Sequence, residues 1–233
     1  MSDTNALQRL PVKQVVPLGR VQKVMAQAMR DSVQRAALSQ VTRQMDLSAI
    51  QETRRVVGRD RVSLNIYIMG AVARALRNHP MLNAELVGDK VFMYEPVNLG
   101  LAIAGASGLI VAVVHGCDNK TLSELAVAVD DLTGRASHNK LGYADVDGGT
   151  FTVSNLGMFG VDGGFALPRP PEGAILLVGS VRLRPEVVSG AVEVRDSALF
   201  SLSFDHRFID GATAARFLQE LQDIFLYPSC LEP

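Results

Sequence analysis

The stretch "SLSFDHRFIDGATAARFL", residues 201–218, sets one histidine, His206, between two carboxylates, Asp205 and Asp210. An imidazole so placed can act as a base near neutral pH. The residues before it, "LFSLSF", alternate with period two and predict a strand with one face in the core. Helix-forming residues resume at Gly211. His206 therefore falls in a strand-to-helix connection, where side chains carried by a rigid sheet can meet a ligand. A plainer reading fits the same residues: His206 as a polar turn residue and Asp210 as the N-cap of the next helix. The His-x-x-x-Asp-Gly spacing alone does not choose between them. The remaining histidines, His79, His115 and His138, are scattered, and Cys117 and Cys230 stand alone. No cluster of ligand types suggests a metal site.

The elements that must hold such a turn are legible along the chain. Residues 1–17 are polar, contain Pro11 and Pro17, and read as an extended arm. From Arg20 a helical period begins, with Val21, Val24, Met25, Ala28 and Ser32 on one face. "ALSQVTRQMDL" alternates like a strand. Ser48 with Gln51 resembles a capping box opening a short helix. A further helix covers "LNIYIMGAVARALRNH" and stops before Pro80. "VNLGLAIA" and "GLIVAVV", joined by "GASG", predict a hairpin. Their nearly continuous apolar runs predict a sheet covered on both faces. Thr121 and Glu124 form a capping box for a helix to about Ser137, with Leu122, Leu125, Ala126, Val129 and Leu132 inward. "TFTVSNLGMFG", "AILLVGSV" and "ALFSLSF" read as strands. The last helix runs from Gly211 to Leu226 with Ala214, Phe217, Leu218, Leu221 and Phe225 as its apolar stripe. With no break in composition, the pattern predicts one α/β domain, a mixed sheet with helices packed on it.

Composition narrows the function classes. The chain has 233 residues and is 48% hydrophobic, enough for a substantial core. A formal net charge of −1, without a Lys/Arg run, argues against nucleic acid as the main partner. No apolar stretch reaches membrane-spanning length, and "MSDTNALQRL" lacks the apolar core of a signal peptide. Unpaired cysteines and no export signal point to reduced thiols in a cytoplasmic protein.

"SFDHRFIDGATAARFL" resembles the C-terminal signature of the dihydrolipoyl acyltransferases of 2-oxoacid dehydrogenase complexes, within the chloramphenicol acetyltransferase-like superfamily. Other segments match in order: "AVARALRNHPMLNAEL", "NLGLAIAGASGLIVAVV", "TFTVSNLGMFGVDGG" with the family's serine, and "PPEGAILLVGSV". The resemblance spans roughly residues 18–228. It implies a catalytic domain over residues 18–233, of chloramphenicol acetyltransferase-like fold, without a lipoyl or peripheral subunit-binding domain in this chain.

The resemblance also implies roles. His206 would be the general base, taking a proton from the thiol of coenzyme A or of dihydrolipoamide. A free thiol of pKa near 8.5 is mostly protonated at neutral pH, and its thiolate is the nucleophile. Ser154 would donate a hydrogen bond to the oxyanion formed on the thioester carbonyl. Its plainer reading is a hydroxyl near a strand end that bonds local backbone. Asp210 would be mainly architectural, paired with an arginine such as Arg20, with Asp205 and Arg207 also holding the loop. The family forms trimers whose sites lie between subunits, histidine from one chain and serine from its neighbour. Coenzyme A and a lipoyl group carried on another domain or protein would be the substrates, dehydrogenase-complex subunits the partners, and no metal would be needed.

Departures from the family pattern affect selectivity rather than the base or the serine. Ala28 stands where arginine is common, Ala37 and Leu38 replace a Pro-His pair, Ala112 replaces a proline, and Arg169 replaces an asparagine. The end, "YPSCLEP", is a poor apolar hook, which predicts an isolated trimer or a weak higher assembly. Two alternatives accompany the acyltransferase reading: an acyltransferase acting on a small hydroxyl or amine acceptor, and a non-catalytic scaffold of a dehydrogenase complex.

Overall fold

A computed structural model of the chain describes residues 11–57, 62–105 and 108–231. Residues 11–17 are exposed and lack regular structure, as the arm reading expects, and residues 1–10 lie outside the described set. Helix α1 (Arg20–Arg35) follows, then β1 (Leu38–Asp46), α2 (Ser48–Val57) and α3 (Leu64–Asn78). Next come the small hairpin β2 (Ala84–Val87) and β3 (Lys90–Met93), then β4 (Leu99–Gly105), β5 (Gly108–Val114) and α4 (Leu122–Ser137). The last part holds β6 (Phe151–Asn155), β7 (Ala174–Val178), β8 (Arg182–Val188), β9 (Ala191–Asp205) and α5 (Gly211–Leu226).

Seven strands form one mixed sheet in the order β1-β9-β7-β6-β4-β5, with β8 paired to the far half of β9. Strands β4, β6 and β7 run parallel, and β1, β9 and β5 run antiparallel to their neighbours. The period-two alternation of each strand sends one set of side chains to the helices. Leu99, Leu101, Phe151, Val153, Leu176, Phe200, Leu202 and Phe204 join a single buried cluster with α3 and α5. The stripe of α5 behaves as its spacing predicts: Ala214, Phe217, Leu218, Leu221 and Phe225 are all buried. Phe217 packs on Phe151 with ring centroids 5.9 Å apart, and Phe225 on Phe200 at 5.3 Å. The Thr121–Glu124 capping box forms reciprocally at the start of α4, satisfying two otherwise orphaned amides.

One expectation, the Ser48 capping box, needs correction, and three further features were not read from the sequence. The apolar face of α1 is not core within this chain: Val21, Val24 and Met25 are exposed, and Ser32 is its only buried residue. Ser48 is not half of a capping box. Its hydroxyl accepts from the Asp196 amide at 3.0 Å, while the Asp46 carboxylate accepts from the Ser48 amide at 2.8 Å. Strand β8 escaped the pattern because Pro185 stands in its middle; the strand tolerates proline because it is an edge. The serine face of "LFSLSF" is not solvent-facing. Ser201 and Ser203 are buried, because the segment around Gly163 and Gly164 crosses over them. Gln40 Nε2 donates to the Gly164 carbonyl at 2.6 Å, and Thr42 Oγ1 bonds Ser201 Oγ at 3.1 Å.

Candidate active site

The turn after β9 is built from its carboxylate outward. Asp205 ends the strand almost fully buried, 5% exposed, and its amide donates to the Gly173 carbonyl at 2.9 Å. Its carboxylate accepts from the Arg207 guanidinium at 2.6 and 2.9 Å, from the Arg207 amide at 3.1 Å and from the Ala37 amide at 3.2 Å. A buried carboxylate needs such a set of charge-assisted bonds to offset its desolvation. The result is a locked turn, tied to α1 on one side and to β7 on the other. Asp205 and Arg207 hold the loop, as the family resemblance implies.

His206 rides on this turn. Its amide donates to the Ala37 carbonyl at 2.8 Å, and its ring meets Phe204 edge-on with centroids 5.6 Å apart. The residue is exposed, and neither ring nitrogen is hydrogen-bonded within the described residues. The ring is oriented by packing while its nitrogens stay open to a substrate. A cavity of about 380 Å³ lies beside the turn, lined among others by Asp205, Arg207, Phe208, Ser32, Arg35 and the 168–173 segment.

Asp210 is the N-cap of α5: its carboxylate accepts from the Thr213 amide at 2.6 Å. That bond and a second from the Thr213 side chain hold its carboxyl below the usual carboxylate range. Arg20 does not pair with it among the described residues; the cation whose charge it feels is Arg216. The structure thus shows Asp210 as a cap, while the arginine pair of the architectural reading is absent among the described residues.

Ser154 lies on β6, on the face opposite Phe151 and Val153, half-buried and with its hydroxyl unbonded among the described residues. The sheet register fixes where it stands relative to His206. Ser154 pairs with Leu177, Leu177 pairs with Ser201, and His206 lies five positions beyond Ser201. At ~3.3 Å per residue and ~4.8 Å per strand, the two residues are roughly 17 Å apart along the strands and about 10 Å across them. Within one chain the base and the hydroxyl occupy opposite ends of the sheet.

One residue near the site gave no sequence signal. The Glu172 side chain is completely buried, takes a hydrogen bond from Thr152 Oγ1 at 2.6 Å, and faces Arg169 Nε at 3.6 Å. Its other oxygen, Oε1, has no hydrogen-bond partner. Burial pushes its carboxyl up to about 7 against the lowering pull of Thr152 and Arg169. Arg169, a departure from the family pattern, thus serves a buried carboxylate and also donates to the Val146 carbonyl at 2.9 Å.

The sequence profile of the 2-oxoacid dehydrogenases acyltransferase (catalytic domain) family matches residues 11–231. The chain belongs to that family. It is 30% identical over 219 residues to the dihydrolipoyllysine-residue acetyltransferase component of the pyruvate dehydrogenase complex of Zymomonas mobilis, covering 91% of this chain and 50% of the relative. The corresponding mitochondrial component of Schizosaccharomyces pombe is 35% identical over 221 residues, covering 91% of this chain and 46% of the relative. The chain thus spans about half the length of the curated relatives it matches. Among solved structures, a probable dihydrolipoamide acetyltransferase from Listeria monocytogenes superimposes with a TM-score of 0.88 at 32% identity, covering 91% of this chain and 94% of that one. An Azotobacter vinelandii dihydrolipoamide acetyltransferase, studied for the catalytic roles of a serine, a histidine and an asparagine, gives 0.88 at 27%, covering 95% of this chain and 98% of that one. Chloramphenicol acetyltransferase, at 16% identity and a TM-score of 0.56, shares the fold.

Proposed function

We propose that this chain is the catalytic unit of a dihydrolipoamide acyltransferase, moving an acyl group between a dihydrolipoyl thioester and coenzyme A within a 2-oxoacid dehydrogenase complex. The observation that carries the reading is the triad of positions. The serine, histidine and asparagine studied in the Azotobacter enzyme follow one another at the same spacing as Ser154, His206 and Asp210. The third member is a carboxylate in this chain. It caps α5 as a hydrogen-bond acceptor, a task an amide oxygen performs about equally well.

His206 takes the thiol proton on an open ring nitrogen as the sulfur attacks the thioester carbonyl carbon. The carbonyl oxygen becomes an oxyanion and accepts a hydrogen bond from the Ser154 hydroxyl. Collapse of the tetrahedral intermediate breaks the original carbon–sulfur bond, and the imidazolium returns its proton to the departing thiolate. Proton transfer of this kind is worth ~10²–10⁴ in rate.

The separation of the two residues within a chain supports a site shared between protomers. His206 of one chain works with Ser154 of its neighbour, in a homotrimer. Exposed apolar side chains support such an assembly: Val24 on α1, Met158, Phe159 and Phe165 after β6, and Val187, Val192 and Val194 on the β8–β9 hairpin. A monomer rarely leaves this much large apolar surface in water. The lipoyl group reaches the site from another domain or protein.

The test is acyl transfer from acetyl-, propionyl-, succinyl- and branched-chain acyl-CoA to dihydrolipoamide. His206→Ala and Ser154→Ala each lose most activity. Chains of the two variants, unfolded together and reassembled, regain part of it, because some junctions pair an intact histidine with an intact serine. Equal turnover by His206→Ala and the parent protein rejects the base. No recovery in the hybrids rejects the shared site.

A further inference from the structure

A second cavity, of about 530 Å³, lies between α3, the turn at Cys117–Asn119, the start of α4 and the terminal turn Pro228–Leu231. It shares no lining residue with the cavity beside His206 and none with β6. Its polar wall carries Arg74, Arg77 and Lys120. The Arg77 and Lys120 side chains make neither an ion pair nor a hydrogen bond among the described residues, although the Lys120 charge helps to lower the Glu124 carboxyl. Arg74 donates once, from Nη1 to the Cys230 carbonyl at 3.0 Å, which anchors the guanidinium without neutralising it.

The carboxylates at hand are held by neutral donors, which orient them and leave them anionic. Asp118, the one acid in the lining, accepts from the Val97 amide at 3.1 Å and from Asn119 Nδ2 at 3.3 Å. Glu124, one turn into α4, is bound into its capping box by the Thr121 amide at 2.8 Å and the Thr121 hydroxyl at 3.0 Å. The first turn of α4 is therefore capped by its own side chains, and any attraction for an anion comes from the three cations. In a chain of net charge −1, a lining with Arg74, Arg77 and Lys120 against the single carboxylate Asp118 keeps an excess of positive charge and concentrates positive potential where a ligand can enter.

The number of cations selects the ligand class. A single carboxylate carries one charge and two oxygens. A phosphate group near pH 7 carries about −1.5 to −2 and three acceptor oxygens, which suits two forked guanidinium groups and one ammonium. The volume exceeds that of phosphate alone and falls within the range of small-molecule sites. We propose that this cavity binds a phosphate group, free or carried on a small molecule, through Arg74, Arg77 and Lys120. The site is separate from the acyl-transfer machinery and does not depend on that assignment.

Calorimetric titration of the whole chain with inorganic phosphate and with ADP tests it. Saturable binding is expected. The Arg77→Gln/Lys120→Gln variant, changed only at exposed side chains, weakens it by roughly tenfold or more. Lys90→Gln, on the remote β2–β3 hairpin, and His206→Ala leave it unchanged. ADP binding more tightly than phosphate identifies a phosphate ester as the class of ligand, and equal affinity identifies the free anion; either supports the site. Absence of saturable binding of both probes overturns the proposal. So does equal binding by the double variant, or an equal loss in Lys90→Gln, which marks nonspecific attraction.

Discussion

The two faces of the central sheet were made from the same strands by the same alternation, yet they are finished differently. The face toward α3 and α5 is dry and complete: Phe151, Val153, Leu176, Phe200, Leu202 and Phe204 are buried against helices of the same chain. The other face carries hydroxyls and a carboxylate, Thr42, Thr152, Ser154, Ser201, Ser203 and Glu172, partly roofed by the segment around Gly164. One face supplies the stability that lets the other be polar. A sheet that buried apolar residues on both sides would hold its shape as well, but it would present no hydroxyl or carboxylate on that side.

That contrast can be broken from either side. On the dry face, Phe217→Ala removes a wholly buried ring that packs on Phe151 and His79. It should lower stability by about 3–5 kcal/mol, read from denaturant midpoints, and it should reduce activity only as far as the folded fraction falls. On the polar face, Ser154→Ala should leave the denaturation midpoint nearly unchanged while kcat drops by roughly 10²–10³. If both variants lost stability equally, the division of labour between the faces would be wrong.

Glu172 sharpens the comparison by titration. Its folded-state pKa is raised to about 7 from an ordinary 4.5, so the folded protein binds the proton more tightly than the unfolded chain. Stability from this group is therefore full below the ordinary value and is lost as pH rises through 7. Glu172→Gln should flatten that decline and make the protein relatively more stable at pH 8, measured by melting temperature across pH. A smaller effect of opposite sign belongs to Asp210, whose pKa is depressed by its bonds to Thr213. Its contribution is present above the ordinary carboxylate range and is lost as pH falls through the depressed value. Asp210→Asn should remove that acid-side dependence while keeping the cap, and an unaltered profile would show that the carboxylate charge does not matter there.

Much of the dry face could be read from the sequence, because burial on one side leaves a period. The stripe of α5, the Thr121–Glu124 box and the hairpin ending in "GASG" are local patterns, and local patterns survive in one dimension. What failed did so where partners come from afar. Ser48 looked like a capping residue until Asp196, distant in sequence, claimed its hydroxyl. Strand β8 was hidden by Pro185, which an edge position permits and a local rule forbids. Glu172 sat unnoticed in "PPEG": Arg169 is a near neighbour, but nothing local announces that Thr152, on another strand, will close over it. The site itself was split the same way. His206 and Asp210 are close in sequence and drew attention at once, whereas Ser154 became legible only through family resemblance.

The register of β6, β7 and β9 has a consequence for wear. In the proposed trimer, a chain that contributes its imidazole to one junction and its hydroxyl to the next borders two reaction centres. An injury to a single side chain silences one of them, but a protomer that unfolds or leaves silences both, and its still-folded neighbours are stranded with intact halves. Turnover in such a population should vanish on dilution well before the helical signal does, so the concentration of the protein, and not only its fold, sets how much chemistry it performs.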